Sequence, residues 1–113
     1  PYNISKLTSN IVIKAVSQKK KYQRFVNKII NERNRIANEL SKMKNIRKVL
    51  PSDANFISFF VDDPKKVFNI LEKNGIIIRD RSNQFNFSGG LRISVGTKKE
   101  NNKFLNVLKK ALL

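Results

Sequence analysis

An α+β fold, with helices packed on one face of a small, mostly antiparallel sheet, is what this sequence predicts. Three observations lead there. From Tyr22 to Met43, apolar residues recur at the 3–4 spacing of one helix face. From Leu91 to Val95 they alternate strictly, as on a half-buried strand. Between these, helical and strand signatures follow one another in the order helix, long helix, strand, helix, strand, strand, helix, which implies one layer of helices on one layer of sheet.

Each element has its own justification. Residues 1–8 show no helical pattern, and Pro1, Asn3 and Ser5 suit an extended entry. Ile11, Val12, Ala15 and Val16 fit a short helix begun by Thr8 or Ser9. The long helix follows, with Tyr22, Phe25, Val26, Ile29, Ile30, Ile36, Ala37, Leu40 and Met43 on its apolar face. The stem of Arg33 can lie along that face while its head reaches out. Lys19, Lys20, Lys21, Lys28, Lys42 and Lys44 fall mostly off the stripe and read as a solvated face. Pro51-Ser52-Asp53 breaks the pattern, and Asn55–Val61, rich in aromatic and β-branched residues, is a strand.

Asp63 before Pro64 marks a helix start, and Asn74-Gly75 its left-handed stop, with Val67, Phe68 and Leu71 facing inward. Ile76-Ile77-Ile78 is a short strand that delivers Arg79 at its end. Residues 80–90 are loop-like, with Gly89-Gly90 as a turn. On the strand after it, Leu91, Ile93 and Val95 share one face, and Arg92 with Ser94 the other. Thr97 and Glu100 form a capping box for a last helix that buries Phe104, Leu105, Val107, Leu108, Ala111 and Leu112.

Composition narrows the chemistry. The chain has 113 residues, a one-domain length, and neither Cys nor His, which excludes disulfides, thiolate chemistry, zinc fingers and histidine acid–base catalysis. No apolar run is long enough for a membrane span and no signal peptide is visible, so a soluble cytoplasmic protein is expected. The net charge of +16 invites a nucleic-acid reading. Against it, Lys (17), Asn (15) and Ile (13) are inflated together, as in an A/T-rich genome, and only 7 of the 24 basic residues are Arg. Pro1 is not an initiator Met, which leaves open a longer parent chain.

Gly89-Gly90 lacks the Lys-Ser/Thr and the strand-to-helix context of a phosphate loop and reads as a hairpin turn. Asp53, Asp62, Asp63, Asp80 and Glu100 lie in separate caps and loops rather than in a metal site. Arg79 and Arg92 are more pointed. If their strands are neighbours, two guanidinium forks converge on one side of the sheet, the geometry that suits a carboxylate or a phosphoryl group. Otherwise each pairs with a local acid such as Asp80 or reaches solvent.

Pro51-Ser-Asp-Ala-Asn-Phe56, Gly75-Ile-Ile-Ile-Arg-Asp80 and Leu91-Arg-Ile-Ser-Val-Gly-Thr97, followed by Glu100-Asn101, resemble the C-terminal part of histidinol-phosphate aminotransferase. The opening Pro1-Tyr-Asn-Ile-Ser5 resembles the segment where that family's chain returns toward its small domain. The resemblance covers essentially the whole chain. It implies the small C-terminal domain of a fold-type I aminotransferase over residues 19–113, entered by a segment over residues 1–18. It implies a pyridoxal-phosphate enzyme of histidine biosynthesis, a homodimer, acting on histidinol phosphate and 2-oxoglutarate to give imidazole-acetol phosphate and glutamate. Arg92 matches the arginine that grips the anionic end of either substrate, and Arg79 a second arginine near the phosphate. Arg81 has no matched role.

The family's Schiff-base lysine sits in a Ser-Lys segment with a glycine-rich continuation. Ser5-Lys6 and Ser41-Lys42 lack that continuation, and the aspartate and tyrosine that hold the cofactor have no counterpart. The expectation is therefore a fragment without transaminase activity alone, its cofactor held by a large domain. Two competitors stay open. One is a free-standing basic domain holding nucleic acid by its Lys-rich helix, and the other is the small domain of an aminotransferase for a different amino acid.

Overall fold

A computed structural model describes residues 2–50, 54–84 and 86–113, with side chains from residue 16 onward. The elements are α1 (Tyr2–Ser41), β1 (Ile46–Val49), β2 (Phe56–Val61), α2 (Pro64–Lys73), β3 (Ile78–Asp80), β4 (Gly90–Ser94) and α3 (Lys98–Ala111). The sheet runs β1-β2-β4-β3 with every neighbouring pair antiparallel. Because β2 and β3 both oppose β4, they run parallel to each other, joined by α2 across a split β-α-β unit into which β4 inserts.

The strand alternation explains the layers. Ile57, Phe59 and Val61 of β2, Ile78 of β3 and Leu91 and Ile93 of β4 point to one face and are buried there. Ile36 and Leu40 of α1, Val67 and Leu71 of α2, and Phe104, Leu105 and Leu108 of α3 close over it. The Phe59 and Phe104 rings meet at 5.9 Å, tilted by 56°, a geometry suited to their quadrupoles. The opposite face carries no helix among the described residues.

The caps agree with the sequence. The Asp63 side chain accepts from Lys66 N–H at 3.2 Å, Pro64 takes the first helical position, and Gly75 adopts φ +77° after Asn74. Thr97 and Glu100 exchange both bonds of the capping box, at 2.9 and 3.2 Å. Each acid with described neighbours at these sites does local work. Asp80 accepts from Ser82, Asp62 pairs with Arg47 at 3.2 Å, and Arg33 reaches the Ala54 carbonyl at 3.2 Å. Asp53 and the Pro51 break lie outside the described residues.

Four expectations need correction. The extended entry over residues 1–8 and the separate short helix are one continuous 40-residue α1 from Tyr2. At 1.5 Å per residue such a helix runs about 60 Å, and it dominates the 67 Å long axis. Tyr22 and Phe25, assigned to the core stripe, are 67% and 61% exposed, because the packed part of α1 begins near Ile29. An edge strand, β1, was not anticipated. It pairs with β2 through a register irregularity between Ile46 and Lys48. Finally, β3 starts at Ile78 rather than Ile76, which puts Arg79 in mid-strand.

Candidate functional site

The open face of the sheet holds the candidate site. On β2 it presents Phe56, Ser58 and Phe60, the residues that alternate with the buried Ile57 and Phe59. On β4 the same face presents Arg92 and Ser94, and on β3 it presents Arg79. The register is direct: Arg92 stands opposite Arg79 on one side and opposite Ser58 on the other. The two arginines singled out from the sequence are thus cross-strand partners, with Arg79 exposed and Arg92 half-buried.

Like charges directly opposite on a sheet destabilise it, so this pairing asks for compensation. Part of it comes from Phe56, whose ring lies 4.6 Å from the Arg92 guanidinium carbon. That contact holds the Arg92 head over an aromatic surface and limits its rotamers. Among the described residues, neither Arg79 nor Arg92 forms an ion pair with a carboxylate. Asp80, the acid nearest in sequence, projects from the alternate face of β3 and is occupied by the Ser82 N–H at 2.9 Å and its hydroxyl at 2.5 Å. The Arg92 guanidinium gives up its proton more readily than usual, because burial and the positive charges of Arg81 and Arg79 disfavour its charged form. An anion placed between these forks reverses that penalty.

The turn into β4 is built for close approach. Gly89 adopts φ +82°, and a Cβ there would run into the Arg47 guanidinium and sit 2.5 Å from the Val61 carbonyl. Arg47 donates from one nitrogen to the Val61 and Ser88 carbonyls, both at 3.2 Å, and so locks the turn from the β1 side. This confirms the turn reading of Gly89-Gly90, with Gly90 itself opening β4.

At the other end of β4, a buried polar knot sets the exit into α3. Asn101 is 2% exposed. Its amide accepts from Gly96 N–H at 2.9 Å, donates to Gly96 O at 3.0 Å and donates to Glu32 of α1 at 3.2 Å. Glu32 is gripped in turn by Arg35 through two bonds, at 2.8 and 2.9 Å. The Arg35 bonds, opposed by burial and aided by Asn101, bring the Glu32 carboxyl down to about 2. Sequence reasoning missed this knot, since only the fold brings Glu32 and Asn101 together across 69 positions.

Two cavities, of about 460 and 760 Å³, flank Gly96, and neither is lined by Arg79 or Arg92. No cluster of metal-ligating side chains occurs among the described residues, and no helix among them is long and apolar enough to cross a membrane.

Known proteins share this sequence and fold. Residues 1–108 match the family model for aminotransferase class I and II. A histidinol-phosphate aminotransferase of Flavobacterium psychrophilum is 45% identical over 109 residues, which cover 96% of this chain and 31% of that protein. The crystal structure of the histidinol-phosphate aminotransferase from Clostridium acetobutylicum superposes with a TM-score of 0.68 at 31% identity, over 74% of this chain and 26% of that one. A decarboxylase from Sulfurospirillum multivorans gives a TM-score of 0.74 at 28% identity, over 83% and 28%. The chain spans about 31% of the length of the curated relatives it matches. With a family match that runs over residues 1–108, the chain belongs to the class I and II aminotransferase family.

Proposed function

We propose that this chain is the small-domain part of a histidinol-phosphate aminotransferase, and that Arg92 and Arg79 bind the anionic end of its substrates. The observation that carries the reading is the cross-strand pair Arg79–Arg92, unneutralised by any carboxylate among the described residues and lying on the helix-free face of the sheet. The relatives' names support the choice of reaction: amino-group exchange between histidinol phosphate with 2-oxoglutarate and imidazole-acetol phosphate with glutamate.

One guanidinium fork fits a carboxylate or two oxygens of a phosphate with parallel hydrogen bonds. Arg92, steadied by Phe56, is suited to meet both substrates in turn, while Arg79 adds charge beside it. The ladder bonds of β4 to β2 and β3 hold both arginines on rigid backbone, so little reorganisation is needed when the anion arrives.

In this reading pyridoxal phosphate supplies the amino-transfer chemistry and is held by the large domain of the complete enzyme. Lys42, the described Ser-Lys candidate, is exposed beside the end of α1 and pairs with Glu39 at 3.7 Å, away from the arginine face. The cofactor-anchoring lysine and a second subunit are assigned to the rest of the enzyme. A second reading, an enzyme for another substrate, draws on the decarboxylase that shares this fold.

The test is a substrate panel on the complete enzyme. Amino transfer from histidinol phosphate to 2-oxoglutarate is expected to exceed transfer from aromatic and aliphatic amino acids by at least about tenfold in kcat/KM. Preference for an unphosphorylated amino acid, or decarboxylation without transfer, would overturn the assignment.

A further inference from the structure

The strand that carries Arg79 carries a second basic side chain on the same face. Side chains alternate along a strand, so Arg79 and Arg81 project to one side and Asp80 to the other. The ladder continues beyond β3: Arg81 N–H donates to Gly90 O at 2.9 Å, which fixes its backbone beside β4, two positions along from the Arg79–Arg92 pair. Arg81 is half-buried, and its carbonyl accepts from Gln84 N–H at 3.1 Å, so the turn that follows is also tied down. Its charge bears on Arg92 more strongly than that of Arg79 does.

Three guanidinium groups thus share one corner of the open face. Among the described residues, none of the three has a carboxylate partner. Two forks already fill one carboxylate, which offers a single negative charge and two oxygens with about four acceptor sites. A phosphate monoester offers a charge of roughly −1.5 to −2 near neutral pH and three acceptor oxygens. Three forks can each meet one of those oxygens, and the ester offsets more of the corner's positive charge than a carboxylate does.

Resting on the reading above, we propose that Arg81 is a specificity-determining residue of this anion site, which binds the phosphate of a phosphate-monoester substrate and takes no part in holding a carboxylate. Arg92 then serves both substrates, and Arg81 separates them.

The experiment is steady-state kinetics on the complete enzyme with Arg81→Gln and Arg81→Lys, and with Arg92→Ala alongside. Arg81→Gln is expected to raise KM for histidinol phosphate about tenfold while KM for glutamate stays within about twofold. The inhibition constant of inorganic phosphate, used as the probe, rises in step, and Arg81→Lys recovers part of the loss. An equal rise for both substrates, or no change for either with Arg81→Gln, would overturn the role of Arg81. If Arg92→Ala raises both KM values while Arg81→Gln changes neither, only the Arg81 assignment fails. If Arg92→Ala changes neither, the underlying anion-site reading fails with it.

Discussion

Replacing Asn101 with alanine removes three hydrogen bonds from one side chain that is 2% exposed. The two bonds to Gly96 are neutral and contribute about 1 kcal/mol each in net terms, and the bond to the Glu32 carboxylate about 2, which sets an upper figure of about 4 kcal/mol. Gly96 is exposed, so water can take over its freed N–H and C=O, and Glu32 keeps both Arg35 bonds. The expected loss is therefore about 2 kcal/mol. Asn101→Asp is a sharper probe. Its carboxylate can still accept from Gly96 N–H, but it faces the Gly96 carbonyl and the Glu32 carboxylate with no proton to offer. It should cost about 1 kcal/mol more than alanine, even though it changes the side chain less. The assay is urea unfolding of the chain followed by circular dichroism, where a loss of this size lowers the midpoint by about 1 M at an unchanged slope. An alanine variant within about 0.5 kcal/mol of the parent, or an aspartate variant more stable than alanine, would refute the view that this knot fixes the exit from β4.

The remaining predictions concern acid stability and the turn into β4. The Glu32 carboxyl is lowered in the folded state from 4.5 to about 2, so its contribution is fully present above the higher value and is lost as pH falls toward the lower one. Solvent screening holds that contribution to about 1 kcal/mol, and Glu32→Gln should remove it, flattening the stability profile between those limits in a pH series of urea melts. Gly89→Ala should destabilise by about 2 kcal/mol in the same assay, because alanine disfavours φ +82° and its Cβ collides with the Arg47 head and the Val61 carbonyl. A neutral Gly89→Ala would mean that the turn can relax without loss.

Much of the fold was legible because local chemistry and tertiary packing agree. Asp63-Pro64, Asn74-Gly75 and the Thr97–Glu100 box are local signals that need no partner, and all three hold. Leu91, Ile93 and Val95 alternate with Arg92 and Ser94 because one side of β4 is covered by helices and the other is not. β1 was hidden for the opposite reason: only Ile46 and Val49 face the helices, with Arg47 and Lys48 between them, and four residues give no periodicity. Its strand character comes from pairing with β2. The start of α1 was misread from Pro1, Asn3 and Ser5, although Ile4, Leu7 and Ile11 keep helical spacing in the sequence.

The candidate site was half legible. Arg92 follows Arg79 by thirteen positions, a spacing that an antiparallel return can span, but the register follows only from the ladder. Arg81 went unassigned because its meaning depends on the pairing of its N–H with Gly90 beyond the strand end. The period-two step from Arg79 was the signal that could have found it. Phe56 stood out as a strand residue, and its place under the Arg92 head depends on the β2–β4 register.

The measurement closest to the central claim is the pair of KM values of the complete enzyme with Arg92→Ala. Loss of a charged fork over an aromatic ring should raise KM for histidinol phosphate and for glutamate alike, each by about 10–100-fold, because one guanidinium serves both anions. An unchanged KM for either substrate would contradict the account.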